Sequence, residues 1–204
     1  MAKIPTTLTA LNRLILAAEP GVKGGTRAVL GEGPLHPDIV FVGEQPGDQE
    51  DLAGKPFVGP AGKMLDKAMA EAGIDRRKVY VTNAVKHFKF EQRGKRRIHS
   101  KPTAGEVKHY RWWLEKELDL VKPKLVVALG ATAALALAGK PLSVSGNRGP
   151  FIFKGDSHGR SGYITIHPSF LLRMRDEDKV RAWKDFVADM KRIKKLAARE
   201  KLAA

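Results

Sequence analysis

The chain of 204 residues contains no cysteine. This absence excludes disulfide bonds, and it also excludes zinc sites and iron–sulfur clusters that depend on cysteine thiolates. At this length, with 43% hydrophobic residues, the chain can fill one good hydrophobic core. We therefore predict a single domain over residues 1–204.

Long hydrophobic runs are also missing. No apolar segment approaches the roughly 18 to 20 residues that cross a bilayer, and the amino terminus lacks the pattern of a secretory signal. We therefore expect a cytoplasmic protein that does not insert into a membrane.

Acidic residues are few compared with basic ones. Lys and Arg total 37 against 22 Asp and Glu, which gives a formal net charge of +15. Such an excess goes far beyond what solubility requires and predicts a polyanionic partner. Nucleic acid is the first candidate, which would place the protein at the nucleoid, and an acidic membrane surface is the second.

Short β-branched runs alternate with amphipathic segments along the chain. The predicted strands are 38–43, 79–82, 124–129 and 163–166, with a candidate edge strand at 151–153. The predicted helices are an N-terminal helical segment within 1–28, then 61–72, 103–121, 130–138 and an amphipathic C-terminal helix over 176–204. This order predicts an α/β fold, a three-layer α/β/α arrangement around a central, mainly parallel four-stranded sheet.

Polar side chains follow three of the predicted strands. Glu44 and Gln45 come after the first strand, Asn83 after the second and His167 after the last. Ligands of such sheets bind beyond the carboxyl ends of the strands, so these side chains should share one rim. A carboxylate, two amides and an imidazole are typical of a pocket that reads a planar heterocycle by hydrogen bonds.

Four motifs around this rim occur in order along the chain. They read GEQPGDQEDLAGKPFVGPAGKML, VTNAVKHFKF, KRRIH and HPSFLLR. Together they resemble the uracil-DNA glycosylase superfamily, and specifically its UdgX branch, which is close to the family-four enzymes. The similarity runs from about Val29 to Arg173, and the KRRIH loop is the piece that defines the branch.

The resemblance also implies a cofactor that this chain cannot hold. Family-four and typical UdgX proteins carry an iron–sulfur cluster on four cysteines, whereas this chain has none. We therefore expect no cofactor and no metal. Tyr110, Trp112 and Trp113 are candidates to replace the cluster by packing.

The resemblance implies a pocket for an extruded uracil. His167 would donate a hydrogen bond to uracil O2 as negative charge develops there, Asn83 would read the Watson–Crick edge, and Phe57 would stack on the base. Backbone amides at Gln45 and Asp48 would complete the pocket. Each side chain also has a plainer explanation: a structural histidine at a strand end, an asparagine capping a turn, or a core phenylalanine.

His99 in KRRIH matches the histidine that, in the UdgX branch, attacks the sugar C1′ and leaves the protein covalently attached to DNA. Glu44 matches the carboxylate that positions a water in family-four enzymes, and here it could orient or deprotonate His99. A neutral imidazole is a competent nucleophile near pH 7. Alternatively, His99 only adds to a basic loop, and the protein turns over as a glycosylase that releases uracil and leaves an abasic site.

The segment 86–101 is strongly basic. It holds seven Lys or Arg against the single Glu91, with Phe88 and Phe90 interleaved. Phosphate contacts combined with aromatic surfaces are typical of binding to single-stranded or distorted DNA. A merely solvated charged face is the alternative.

We predict that DNA is contacted by residues of this segment and of the last motif. They are Lys95, Arg96, Arg97, Ser169, Leu171 and Arg173. Leu171 or Leu172 would occupy the space vacated by the flipped base, and the sequence does not choose between them. The expected partner is uracil-containing DNA, including single-stranded DNA, bound by a monomer.

Two other function classes deserve comparison. The segment GPAGK at 59–63 suggests a phosphate-binding loop, but Phe57 stands where the first glycine is required and Met64 where Ser or Thr should hold magnesium. The sequence therefore argues against a kinase or ATPase. A non-catalytic DNA-binding protein that has kept the pocket is the second class.

Overall fold

The computed structural model describes residues 4–154 and 159–203, with side chains as far as residue 200. The predicted domain over 1–204 includes residues 1–3, 155–158 and 204, which lie outside the described residues. The strands are β1 Ile39–Gly43, β2 Tyr80–Asn83, β3 Phe90–Arg93, β4 Arg96–His99, β5 Leu125–Leu129, β6 Gly149–Lys154 and β7 Gly159–Thr165. The helices are α1 Leu8–Ala17, α2 Asp48–Ala53, α3 Pro60–Glu71, α4 Ala104–Val121, α5 Ala131–Ala138, α6 Val144–Asn147, α7 Pro168–Leu172 and α8 Asp176–Ala203.

Five strands form the central sheet in the order β2-β1-β5-β7-β6. The first four are parallel to one another, and β6 runs antiparallel to β7. The predicted α/β class is confirmed, but the predicted count of four strands is wrong by one. The extra strand is the candidate edge strand, which the predicted count left out. In β6 Phe153 is buried while Ile152 is 57% exposed, so only one face of this strand is covered.

Alternate residues of each strand feed two separate cores. Phe41 of β1 packs with α3 and α8 on one face, whereas Val40 and Val42 pack with α4 and α5 on the other. This division produces the predicted three layers. No helix within the described part of the chain is long and apolar enough to cross a membrane.

The N-terminal segment is helical only in α1. Leu11 and Ile15 of this helix are buried in a small third core, against which Trp113 of α4 packs. From residue 18 to β1 the chain lacks regular structure apart from one bridge between Glu32 and Val81. The prediction of a helix over 1–28 therefore holds for 8–17 alone.

The basic segment after β2 is a β-hairpin rather than a loop. β3 and β4 pair antiparallel, with Phe90 opposite His99 and Arg93 opposite Arg96. Gly94 in the turn has a φ of +57°, a conformation that favours glycine. Sequence reasoning missed the hairpin because its side chains are mostly polar on both faces and show no apolar alternation.

Candidate active site

A cavity of about 1240 Å³ lies beyond the carboxyl ends of the parallel strands. Its wall includes most of the predicted site residues: Glu44, Gln45, Asp48, Phe57, Asn83, His99, His167, Ser169 and Arg173. It also includes residues that sequence reasoning did not select, among them Glu50, Lys101, Thr132, Ser145 and Arg148. The predicted Lys95, Arg96, Arg97 and Leu171 are not part of this wall.

A narrow slot forms where β1 ends. A side chain on Gly43 would lie 2.4 Å from Asn83 Oδ1 and 2.7 Å from Phe57 Cζ, so only glycine lets both groups approach. Asn83 is 3% exposed and Phe57 is 7% exposed. Phe57 adopts a φ of +56°, which is costly for a bulky residue and is typical of functional sites. A flat aromatic face and an amide therefore border the same small space.

The loop between β1 and α3 is shaped by Glu50. Its buried carboxylate accepts hydrogen bonds from the backbone N–H groups of Gly47, at 3.1 Å, and Gly59, at 2.7 Å. These bonds hold the two ends of the loop around the slot. Sequence reasoning missed Glu50, although an acidic residue in the first turn of a helix is a recognisable capping signal.

His167 is a neutral hydrogen-bond donor at pH 7. Its Nδ1 accepts the backbone N–H of Ser169 at 3.2 Å and lies 2.8 Å from the Ser169 hydroxyl, which leaves the ring proton on Nε2. Burial lowers the pKa of His167 to about 4, although the nearby Glu44 carboxylate opposes this shift. Such a group can stabilise a developing anion without carrying a charge of its own.

Glu44 connects His99 to the body of the protein. Its Oε1 lies 3.3 Å from His99 Nε2, and its Oε2 accepts a hydrogen bond from Thr132 at the start of α5. Burial alone would raise the pKa of Glu44, but the hydrogen bonds from His99 and Thr132 lower it below its ordinary value. The carboxylate is thus ionised at neutral pH and faces the imidazole.

Gln45 holds the base of the hairpin. Its Nε2 donates to the carbonyls of Lys89, at 3.2 Å, and Ser100, at 3.1 Å, and its Oε1 accepts the N–H of Lys89 at 3.1 Å. Lys89 and Ser100 flank the hairpin, one residue beyond each end. The side chain of Gln45 is therefore committed to the hairpin, and only its backbone is left for the predicted contact with uracil.

Arg97 anchors the hairpin to α2. Its Nε donates to Asp48 Oδ1 at 2.6 Å, its Nη1 to Asp51 Oδ2 at 2.5 Å and its Nη2 to the Asp48 carbonyl at 3.3 Å. The guanidinium also lies over the rings of Phe88 and Phe90. All three guanidinium nitrogens bond within the protein, so Arg97 fixes the hairpin to α2, and its phosphate contact stays a prediction. Lys95 and Arg96 are exposed at the turn.

The two candidate wedge leucines differ in position. Leu171 is fully buried in the core beneath α7, whereas Leu172 is 40% exposed and lines the cavity. The predicted DNA contact by Leu171 does not fit this burial, and Leu172 is the leucine of the pair that reaches the cavity. The neighbouring Phe170, which is 45% exposed, also lines the cavity.

The residues around Tyr110, where the resemblance would place an iron–sulfur cluster, do not fit such a cluster. Tyr110 is buried; its hydroxyl accepts the N–H of Gly21 at 2.7 Å and lies 2.7 Å from Nδ1 of the buried His87. Burial lowers the pKa of His87 and raises the pKa of Tyr110 to about 12, so both groups are neutral. Trp112 is 44% exposed and does not fill this space. No group of three or more potential metal ligands occurs among the residues described.

Comparisons with known proteins agree with this geometry. The family model of the uracil DNA glycosylase superfamily matches residues 30–191. The type-4 uracil-DNA glycosylase of Thermotoga maritima is 40% identical over 155 residues, which cover 75% of this chain and 76% of that protein. The corresponding enzyme of Sulfurisphaera tokodaii is 32% identical over 178 residues, or 84% and 76% of the two chains. A type-5 uracil-DNA glycosylase of Pyrobaculum aerophilum is 35% identical over 100 residues, or 48% and 39%. From its sequence and its strand-end pocket, the chain belongs to the uracil DNA glycosylase superfamily.

Proposed function

We propose that this protein is a uracil-DNA glycosylase of DNA repair that excises uracil and then captures the deoxyribose C1′ through His99. The relatives named as type-4 enzymes support the excision activity. The capture step rests on one observation: His99 Nε2 lies 3.3 Å from the Glu44 carboxylate in the wall of the pocket.

Uracil would enter the slot beside Gly43 after leaving the base stack. Phe57 offers a face for stacking. In one orientation of the Asn83 amide, Nδ2 donates to uracil O4 and Oδ1 accepts N3–H, and cytosine presents the reversed pattern of donor and acceptor. Extrusion costs least from a single strand, because no partner base is lost. Single-stranded DNA containing uracil is thus the favoured substrate.

The chemical step requires a stabilised leaving group and a nucleophile. The C1′–N1 bond breaks and its electron pair moves onto the uracil ring, where the His167 Nε2–H donates to the developing charge on O2. In the His99 tautomer whose proton lies on Nε2 beside Glu44, the Nδ1 lone pair forms the new bond to C1′. As the imidazole takes on positive charge, the Nε2 proton passes to Glu44. The products are uracil anion, protonated Glu44 and a neutral imidazole attached to the sugar, so charge is conserved.

Covalent capture is tested on a denaturing gel. The protein is mixed with a labelled single-stranded oligonucleotide that carries one uracil, then heated in detergent without alkali. We expect a slow, heat-stable band for the parent protein and for His109→Ser, which removes an exposed histidine from α4. His99→Ser should give no such band. A band of equal strength from His99→Ser would contradict capture through His99.

Turnover is the second candidate, and the Glu44 carboxylate favours it because a carboxylate at this position could also direct a water. In that case the parent protein gives no slow band, and later alkali cleaves the strand at an abasic site. If uracil is released by neither route, the pocket serves only to bind DNA.

A further inference from the structure

Arg148 lines the cavity but belongs to none of the motifs considered above. It immediately precedes β6, and because β6 is antiparallel to β7, its first residue lies at the carboxyl edge of the sheet. Gly149 pairs with Ile164, three residues before His167. Arg148 therefore lies at the β6 edge of the sheet, whereas His99 contacts Glu44 just after β1, three strands away.

A buried carboxylate fixes one side of the Arg148 guanidinium. Asp189 of α8 is 1% exposed, and its Oδ2 accepts Arg148 Nε at 2.6 Å. The same carboxylate accepts hydrogen bonds from the hydroxyls of Tyr163, at 2.9 Å, and Thr165, at 2.6 Å, and from Arg192 Nη1, at 3.3 Å. Because four donors surround it, the Asp189 carboxylate holds a fixed position and fixes Nε of Arg148.

The terminal nitrogens of Arg148 are available to a ligand. Among residues 4–154 and 159–200, no group accepts a hydrogen bond from its Nη1 or Nη2, and 30% of the side chain is exposed. The two terminal nitrogens form the fork that matches two oxygens of a phosphate. Because Nε is already held, little further side-chain entropy is lost when the fork binds.

We propose that Arg148 binds a phosphate of the DNA strand beside the flipped uracil, on the side of the cavity opposite to His99. The inference rests on the proposed function. Three strand spacings of about 4.8 Å separate β1, whose end carries Glu44, from β6, or about 14 Å. A DNA strand that crosses this edge of the sheet would cover roughly four nucleotides at a spacing of about 3.4 Å.

The test neutralises one phosphate at a time. The probe is a labelled single strand with 2′-deoxypseudouridine at the target position, since its carbon–carbon glycosidic bond cannot be cleaved, and each flanking phosphate is replaced in turn by a methylphosphonate. Binding is measured by fluorescence anisotropy. We expect one position at which the methylphosphonate weakens binding to the parent protein about tenfold. Arg148→Gln should bind the unmodified strand about tenfold more weakly and show no further loss at that position.

Arg192→Gln is the matched control, because Arg192 also bonds to Asp189 but does not line the cavity. It should keep the full methylphosphonate effect. Should Arg148→Gln fail to fold, Arg148→Lys takes its place, because it retains a cation for Asp189 but lacks the two terminal nitrogens. The methylphosphonate at the sensitive position should then weaken DNA binding less than it does in the parent protein. Equal losses at every position in the parent protein and the Arg148 variants would overturn the inference. A parent protein that binds this probe no better than a thymidine strand would instead contradict the proposed function, while the coupling at Arg148 can still be measured.

Discussion

Two arginines bond to carboxylates near the cavity, Arg97 in the hairpin behind it and Arg148 in its wall, and their guanidinium groups are used differently. On the hairpin side, Arg97 spends all three guanidinium nitrogens on Asp48 and Asp51. On the β6 side, Arg148 spends only Nε, on Asp189. A basic motif therefore need not bind phosphate. Here Arg97 fixes the β3–β4 hairpin that carries His99, whereas the terminal nitrogens of Arg148 remain able to bind DNA.

The largest change in the rate of covalent capture is expected when the bonds between the hairpin and α2 are removed at Arg97. Arg97→Gln should slow covalent capture about hundredfold, because a misplacement of about 1 Å at the reacting atoms costs that much. DNA affinity should change little, since the Arg97 charge is already matched by Asp48 and Asp51. Single-turnover capture on denaturing gels and anisotropy with the uncleavable probe separate the two quantities. If affinity falls as far as capture does, Arg97 touches DNA after all.

His167 lies between the two sides and predicts a pH dependence of stability. Its pKa is about 4 in the folded protein and about 6.5 in an unfolded chain. Below pH 6.5 the unfolded chain takes up a proton that the folded protein does not, so stability falls from pH 6.5 down to about pH 4. We expect a loss of about 2 kcal/mol, allowing for partial exposure of the ring. Urea midpoints at several pH values measure it, and His167→Gln should lack this component.

A smaller effect is expected from the clamp at the base of the hairpin. Gln45→Leu removes three hydrogen bonds to Lys89 and Ser100. The backbone hydrogen bond from Ser100 N to the Lys89 carbonyl remains and limits the damage. We expect capture to be about tenfold slower, because the hairpin would adopt the reactive geometry less often. Affinity for the uncleavable 2′-deoxypseudouridine strand should change less than capture does. Equal losses of affinity and capture would indicate damage to the uracil pocket instead.

The smallest expected effect is on DNA affinity, and it compares two neighbouring arginines of the hairpin. Arg96 is exposed at the turn, beside the internally bonded Arg97. Arg96→Gln should weaken binding to single-stranded DNA only a few-fold and reduce the slope of log affinity against log salt by about 0.7. Arg97→Gln should leave that slope unchanged. Titrations at four salt concentrations distinguish the two, and identical slopes for both variants would remove the distinction.

Local patterns predicted much of this molecule. β1, β5 and α3 follow from their apolar patterns. The predicted helix over 103–121 is α4, which begins with a capping box of Thr103 and Glu106. The convergence of Glu44, Asn83 and His167 on one rim followed from topology, because parallel strands end at the same edge. The hairpin was missed because its pattern is charge without apolar alternation.

The sequence by itself determined the four parallel strands, the strand-end pocket residues and the absence of a cysteine-bound cluster, since these depend on composition and on neighbours along the chain. Only the tertiary structure decided which charges are used internally. Asp48 and Arg97 are 49 residues apart, and Arg148 and Asp189 are 41 apart. A side chain's charge does not specify its partner, so the fold alone committed Arg97 to α2, buried Leu171 and left the fork of Arg148 at the rim.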